Sequence, residues 1–157
     1  MWQAYADEEG FVLVCPTLSD EQGGWFQNQG ENALVHILNG IYSEYSIENK
    51  IFLAGFSAGA QFVQGFAFDI PSYVSGVSSI SSGNYYPPTR QSRNIPFLVI
   101  IGDRDDTVRI EGAEAFASAL ESNGYSVEYH LLPGVGHGVS QEAKDLTIDF
   151  FRRVTSQ

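Results

Sequence analysis

Ile51-Phe52-Leu53-Ala54-Gly55-Phe56-Ser57-Ala58-Gly59 carries an apolar run straight into a Gly-x-Ser-x-Gly pentapeptide. The run predicts a strand over Lys50 to Ala54. Ala58 to Phe68, with Phe62, Val63 and Phe66, predicts a helix. A strand, a tight turn and a helix form the context in which this pentapeptide has chemical meaning. The turn lifts Ser57 above the sheet, at the N-terminal end of a helix whose dipole favours negative charge. The amide of Ala58 then points at a developing oxyanion. The competing reading is a small-residue turn that merely lets the helix pack on the sheet.

A hydroxyl nucleophile needs a base, and the base needs an orienting acid. His137 lies in Pro133-Gly-Val-Gly-His-Gly138, just after a predicted strand, Val127 to Leu132. Flanked by glycines, it has no packing duty. His36 falls on a predicted helix and His130 inside that strand, where structural roles fit better. Gly102-Asp103-Arg104-Asp105-Asp106 follows the most apolar strand, Phe97 to Ile101, and offers three acids. The alternative for all three is a solvated acidic turn, partly neutralised by Arg104 and Arg109. The order Ser, Asp, His is that of one class of α/β sheet enzymes. All three positions follow strand C-termini, where such sheets place their sites.

The rest of the chain repeats the same rhythm of short apolar runs and amphipathic stretches, the mark of βαβ units. Trp2 to Glu9 reads as a helix stopped by Gly10, Phe11 to Cys15 as a strand, and Glu31 to Tyr45 as a helix. Val74 to Ile80 reads as a strand leading into a loop, Ser81 to Asn94. Glu111 to Ser122 and Gln141 to Val154 read as helices. The expectation is one three-layer α/β/α domain over 157 residues with a mostly parallel sheet.

Composition bounds the function. With 19 acidic and 8 basic side chains the net charge is −11, which repels a phosphate backbone and excludes a nucleic-acid groove. The apolar runs are too short to span a bilayer. Cys15 is the only cysteine, so an intrachain disulfide and CxxC zinc sites are excluded. It is expected to be buried and inert. No phosphate loop, HExxH or EF-hand pattern appears, so no cofactor or metal is expected. MWQAYADEEG has neither a basic nor an apolar leader region, so no signal peptide is read in it. The compartment stays open, with the cytoplasm as the default expectation.

From Phe11 to Val154 the chain resembles the α/β-hydrolase superfamily. It is most similar to the branch of polyhydroxybutyrate-depolymerase-like and feruloyl-type esterases and dienelactone-hydrolase relatives. Gly55-Phe-Ser57-Ala-Gly59 matches the nucleophile elbow, Gly102-x-x-Asp105-x-x-Val108 the acid loop and Gly136-His137-Gly138 the histidine loop. The resemblance therefore implies Ser57 as nucleophile, Asp105 as the acid and His137 as base, with Ala58 as oxyanion donor. It also implies an N-terminally shortened chain, lacking the family's first strands and the segment that donates a second oxyanion amide. Losing one such donor costs about 10²–10³ in rate. The gap in the sheet has three expected explanations: a fragment of a longer protein, direct pairing of the flanking strands, or a second copy of the chain completing the sheet.

The implied activity is hydrolysis of a small ester. Trp25, Phe26, Tyr85 and Tyr86 follow strand ends and are expected to line an apolar or aromatic pocket, or else to cap the core edge. Two alternatives remain at this point: an amidase or peptidase on the same residues, and a binding domain impaired by the missing segment.

Overall fold

The computed structural model describes residues 2–18 and 26–155. They fall into two compact units, Met1–Ile47 and Glu48–Gln157.

The first unit holds two helices. α1 (Gln3–Glu9) ends where Gly10 takes the left-handed conformation, φ 73°, and its amide bonds back to the Ala6 carbonyl. This is the stop that Gly10 predicts. α2 (Gln27–Glu44) begins four residues earlier than the periodicity suggests, and the side chain of Gln27 donates to Glu31 one turn on. Leu34 and Leu38, one turn apart, are its buried apolar positions. The expected strand at Phe11 to Cys15 does not form; residues 11–18 carry no ladder. An apolar run becomes a strand only where a neighbour completes its backbone hydrogen bonds, and among the described residues none does. Without that ladder Cys15 is exposed, contrary to the expected buried thiol.

The second unit alternates strand and helix: β1 (Ile51–Phe56), α3 (Ala58–Asp69), β2 (Val74–Ile80), β3 (Phe97–Gly102), α4 (Thr107–Ser122), β4 (Val127–Leu132) and α5 (Gln141–Thr155). The four strands pair in sequence order, all parallel. Parallel strands need crossover helices, and those helices cover both faces. The alternation along β2 shows this directly. Ser79 accepts from Gln64 of α3 at 2.8 Å, while its neighbour Ser78 bonds Thr147 of α5 at 2.8 Å. Successive side chains point to opposite faces, so α3 and α5 lie on opposite sides of the sheet. The expected three layers are present here.

On the α3 face, Phe97 of β3 packs against Phe68 of α3 at 5.5 Å and Phe116 of α4 at 6.0 Å between ring centroids. On the α5 face, Phe52 of β1 meets Phe150 and Phe151 at 6.0 and 5.5 Å. β3 is buried along its whole length, as a central parallel strand must be. Each fully buried Leu, Ile or Phe contributes about 1.5–3 kcal/mol of transfer free energy. That is what holds the sheet's C-terminal edge as a rigid platform. No helix among the described residues is long and apolar enough to cross a membrane.

Candidate active site

Three loops emerge at the C-terminal edge of this sheet. The first is the single-residue turn between β1 and α3. Ser57 holds φ 55° and ψ −118°, a region that residues with a Cβ rarely adopt. The turn is fixed from two sides: the Ser57 amide donates to the Ile80 carbonyl of β2 at 3.0 Å, and its carbonyl accepts from Gln61 at 3.2 Å. Strand and helix cross so closely that a Cβ on Gly55 would run into the backbone carbonyl of Gly59. Gly59 itself faces open space, so Gly55 is the glycine the crossing demands. Ala58 is the first residue of α3, and an amide there has no intrahelical acceptor.

The second loop follows β3, and it sorts the three acids. Asp106 caps α4: its carboxylate accepts from the Val108 amide at 3.0 Å. That cap starts the helix at Thr107, earlier than the apolar spacing predicts. Asp103 accepts from the Gly134 amide at 2.7 Å. Asp105 alone turns back into the sheet edge, its side chain 1% exposed, and meets His137 Nδ1 through Oδ2 at 3.0 Å. Removing the cap with Asp106→Ala should lower stability by about 1 kcal/mol. Urea unfolding will read that loss.

The third loop, 133–138, carries His137. Its Nε2 lies 3.1 Å from Ser57 Oγ. An ionised carboxylate only accepts hydrogen bonds, so Asp105 requires the proton on His137 Nδ1. Nε2 is then left with a lone pair facing the serine hydroxyl. Burial pushes the Asp105 carboxyl up. Hydrogen bonds from His137 and the Asp106 amide, the His137 charge and the Ser81 hydroxyl outweigh it and hold the group below its ordinary value. Arg109, one turn along α4, adds a cation 3.7 Å from Oδ1.

The remaining predicted residues divide. Tyr86 accepts from Gln61 of α3 at 3.2 Å, which ties its loop to the helix that follows Ser57. Tyr85 is turned inward, which fits the second of its two expected roles, a cap on the core edge. Its ring packs on Phe116 at 4.9 Å and over Gly112, where a Cβ would come within 3.1 Å of it. A ring that finds such a slot on α4 buries more apolar area than one facing solvent. That burial, with the charges of Tyr129 and Asp105 nearby, pushes the Tyr85 hydroxyl well above its ordinary value. Phe26 is 65% exposed at the start of α2, in the first unit. Trp25 lies outside the described residues. His36 is exposed on α2, in the first unit, and His130 on β4 lies 4.0 Å from Glu128.

Two participants were not anticipated. Phe56, the variable residue of the pentapeptide, packs at a tilt against the His137 ring, 4.8 Å between centroids, while remaining 36% exposed. Ser81, fully buried just past β2, holds φ 46° beside Asp105. The only signal for Ser81 was a run of serines at the end of an apolar strand.

Residues 75–155, just over half of the chain, match the prolyl oligopeptidase family. The chain belongs to that family. The matched region includes Asp105 and His137 and begins after Ser57. A bifunctional acetylxylan esterase/xylanase of Neocallimastix patriciarum is 28% identical over 118 residues, which span 73% of this chain and 18% of that protein. An acyl-protein thioesterase 1 of Gibberella zeae is 27% identical over 115 residues, 68% of this chain and 49% of that protein. The chain thus spans less than half the length of either curated relative. Among solved structures, an uncharacterized protein of Bacillus cereus superposes with a TM-score of 0.80 at 17% identity, over 98% of this chain and 54% of its own. That likeness shows a shared fold. This member of the prolyl oligopeptidase family has the α/β-hydrolase architecture that its sequence resembles.

Proposed function

We propose that this chain carries a serine hydrolase site that cleaves carboxylic esters through an acyl-enzyme, with Ser57, His137 and Asp105 as catalytic residues. The observation that carries the proposal is the unbroken contact chain from Ser57 Oγ through the imidazole to the buried Asp105 carboxylate. Ser57 Oγ attacks the ester carbonyl as its proton passes to His137 Nε2. The tetrahedral intermediate collapses, the acyl–oxygen bond breaks, and the imidazolium returns the proton to the departing alkoxide. Water, deprotonated by the same nitrogen, then releases the acid and restores Ser57. Asp105 holds the tautomer and balances the transient positive charge. The Ala58 amide is one oxyanion donor. Tyr86 and the half-exposed Phe56 ring, beside the group that protonates the leaving oxygen, offer apolar surface for the alcohol portion.

The esterase and thioesterase named among the relatives support ester chemistry. Membership of the prolyl oligopeptidase family supports a second reading, amide or peptide cleavage on the same residues. Labelling with a fluorophosphonate and mapping the modified peptide tests what both share. An adduct on Ser57 is expected, and a folded chain left unlabelled overturns the proposal. Matched ester and anilide substrates then separate the two readings. Faster turnover of the ester supports the first, and faster turnover of the anilide the second.

A further inference from the structure

His137 can relay a proton only if its loop is held still, and that loop is built to move. Pro133-Gly-Val-Gly-His-Gly138 has three glycines in six residues, which lose the most backbone entropy on ordering. Beyond the imidazole, little of the loop has a side chain to pack. Apart from the contacts of the imidazole, its restraint therefore comes from hydrogen bonds, and these lead to one place, the turn after β3. The Asp103 amide donates to the Leu132 carbonyl at 3.0 Å, and the Arg104 amide donates to the Val135 carbonyl at 2.9 Å. The two loops touch so closely that a Cβ on Gly102 would strike the Val135 carbonyl. One restraint comes from a side chain. Asp103 Oδ1 accepts from the Gly134 amide at 2.7 Å, with Gly134 at φ 76°.

We infer that Asp103 is a positioning residue, whose carboxylate clamps the histidine loop onto the acid turn and so keeps His137 between Ser57 and Asp105. The two acids of Asp103-Arg104-Asp105 then grip one loop at two points: Asp103 at the backbone where it begins, Asp105 at the imidazole. Asp103 touches no reacting atom and acts through the loop. The inference rests on the proposed role of His137. A displacement of about 1 Å in a reacting group can cost on the order of 10²-fold in rate.

The test compares Asp103→Ala with Asp103→Asn in the full chain. Asparagine keeps a carbonyl acceptor for the Gly134 amide while discarding the charge. Asp103→Ala should lower kcat for a nitrophenyl ester by about 10–100-fold with KM changed less than about threefold. Asp103→Asn should recover most of that loss. Hydrogen exchange in peptides covering residues 133–138 should quicken in the alanine variant and stay near the parent rate in the asparagine variant. Asp103 is exposed, so the core is untouched by truncation; Asp103→Ser replaces the alanine variant if that one fails to fold. Unchanged exchange in the alanine variant overturns the clamp. So does a parent-like kcat despite faster exchange, or an asparagine variant as impaired as the alanine one. If the parent chain itself turns over no substrate, the proposed function fails, and the exchange measurement still decides the clamp.

Discussion

Ser57→Ala should reduce kcat/KM toward an activated ester by about 10⁴-fold or more and abolish fluorophosphonate labelling, with the melting temperature almost unchanged. The rate falls because the hydroxyl that His137 Nε2 faces, at 3.1 Å, is that of Ser57. Stability is spared for a separate reason. The strain at φ 55° belongs to any residue with a Cβ, and alanine keeps it. The backbone bonds that hold the turn, from the Ser57 amide to Ile80 and from Gln61 to the Ser57 carbonyl, do not involve the side chain. Activity lost with the fold intact is therefore the signature of a missing nucleophile, whereas undiminished turnover would sink the proposal. A simultaneous loss of fold and rate is not what the geometry predicts.

The second unit was legible because its signals are local. Four apolar runs separated by helical spacing specify strand, helix and parallel order, and β1 to β4 form accordingly. Gly55 and Ser57 announce the turn because only a close crossing explains a glycine there. Phe11 to Cys15 carries the same kind of apolar run, yet forms no strand, since pairing is a property of the neighbour as much as of the run. The three acids after β3 show the same limit within the site. Their residue types are identical and their spacing is nearly so; what separates them is the helix N-terminus that Asp106 caps two residues on, and a glycine amide and an imidazole supplied by the loop after β4. The resemblance to a family selected Asp105, and residue chemistry alone left the choice open. Tyr85, left between a pocket wall and a cap on the core edge, follows the same rule. Which way an aromatic turns at a strand end depends on whether a slot such as that over Gly112 exists.

Asp105→Asn should lower kcat/KM by about 10⁴-fold at neutral pH while Ser57 and His137 remain in place. A carboxylate only accepts, so it forces the Nδ1–H tautomer. An amide can present its own N–H to Nδ1, and the proton then sits on Nε2, where it cannot receive one from Ser57. The pH dependence gives a second, independent reading. Although burial raises it, the Asp105 carboxyl is held below the ordinary carboxylate value by His137, the Asp106 amide and Ser81. A depressed folded-state value means stability that is fully present above the unfolded value and lost as pH falls through the folded one. Melting temperatures of the parent chain and Asp105→Asn should therefore differ most at neutral pH and converge below about pH 4. A variant keeping more than a tenth of the parent rate would remove Asp105 from the relay. A melting difference that widens in acid would show that its carboxyl is not the group stabilised by these hydrogen bonds.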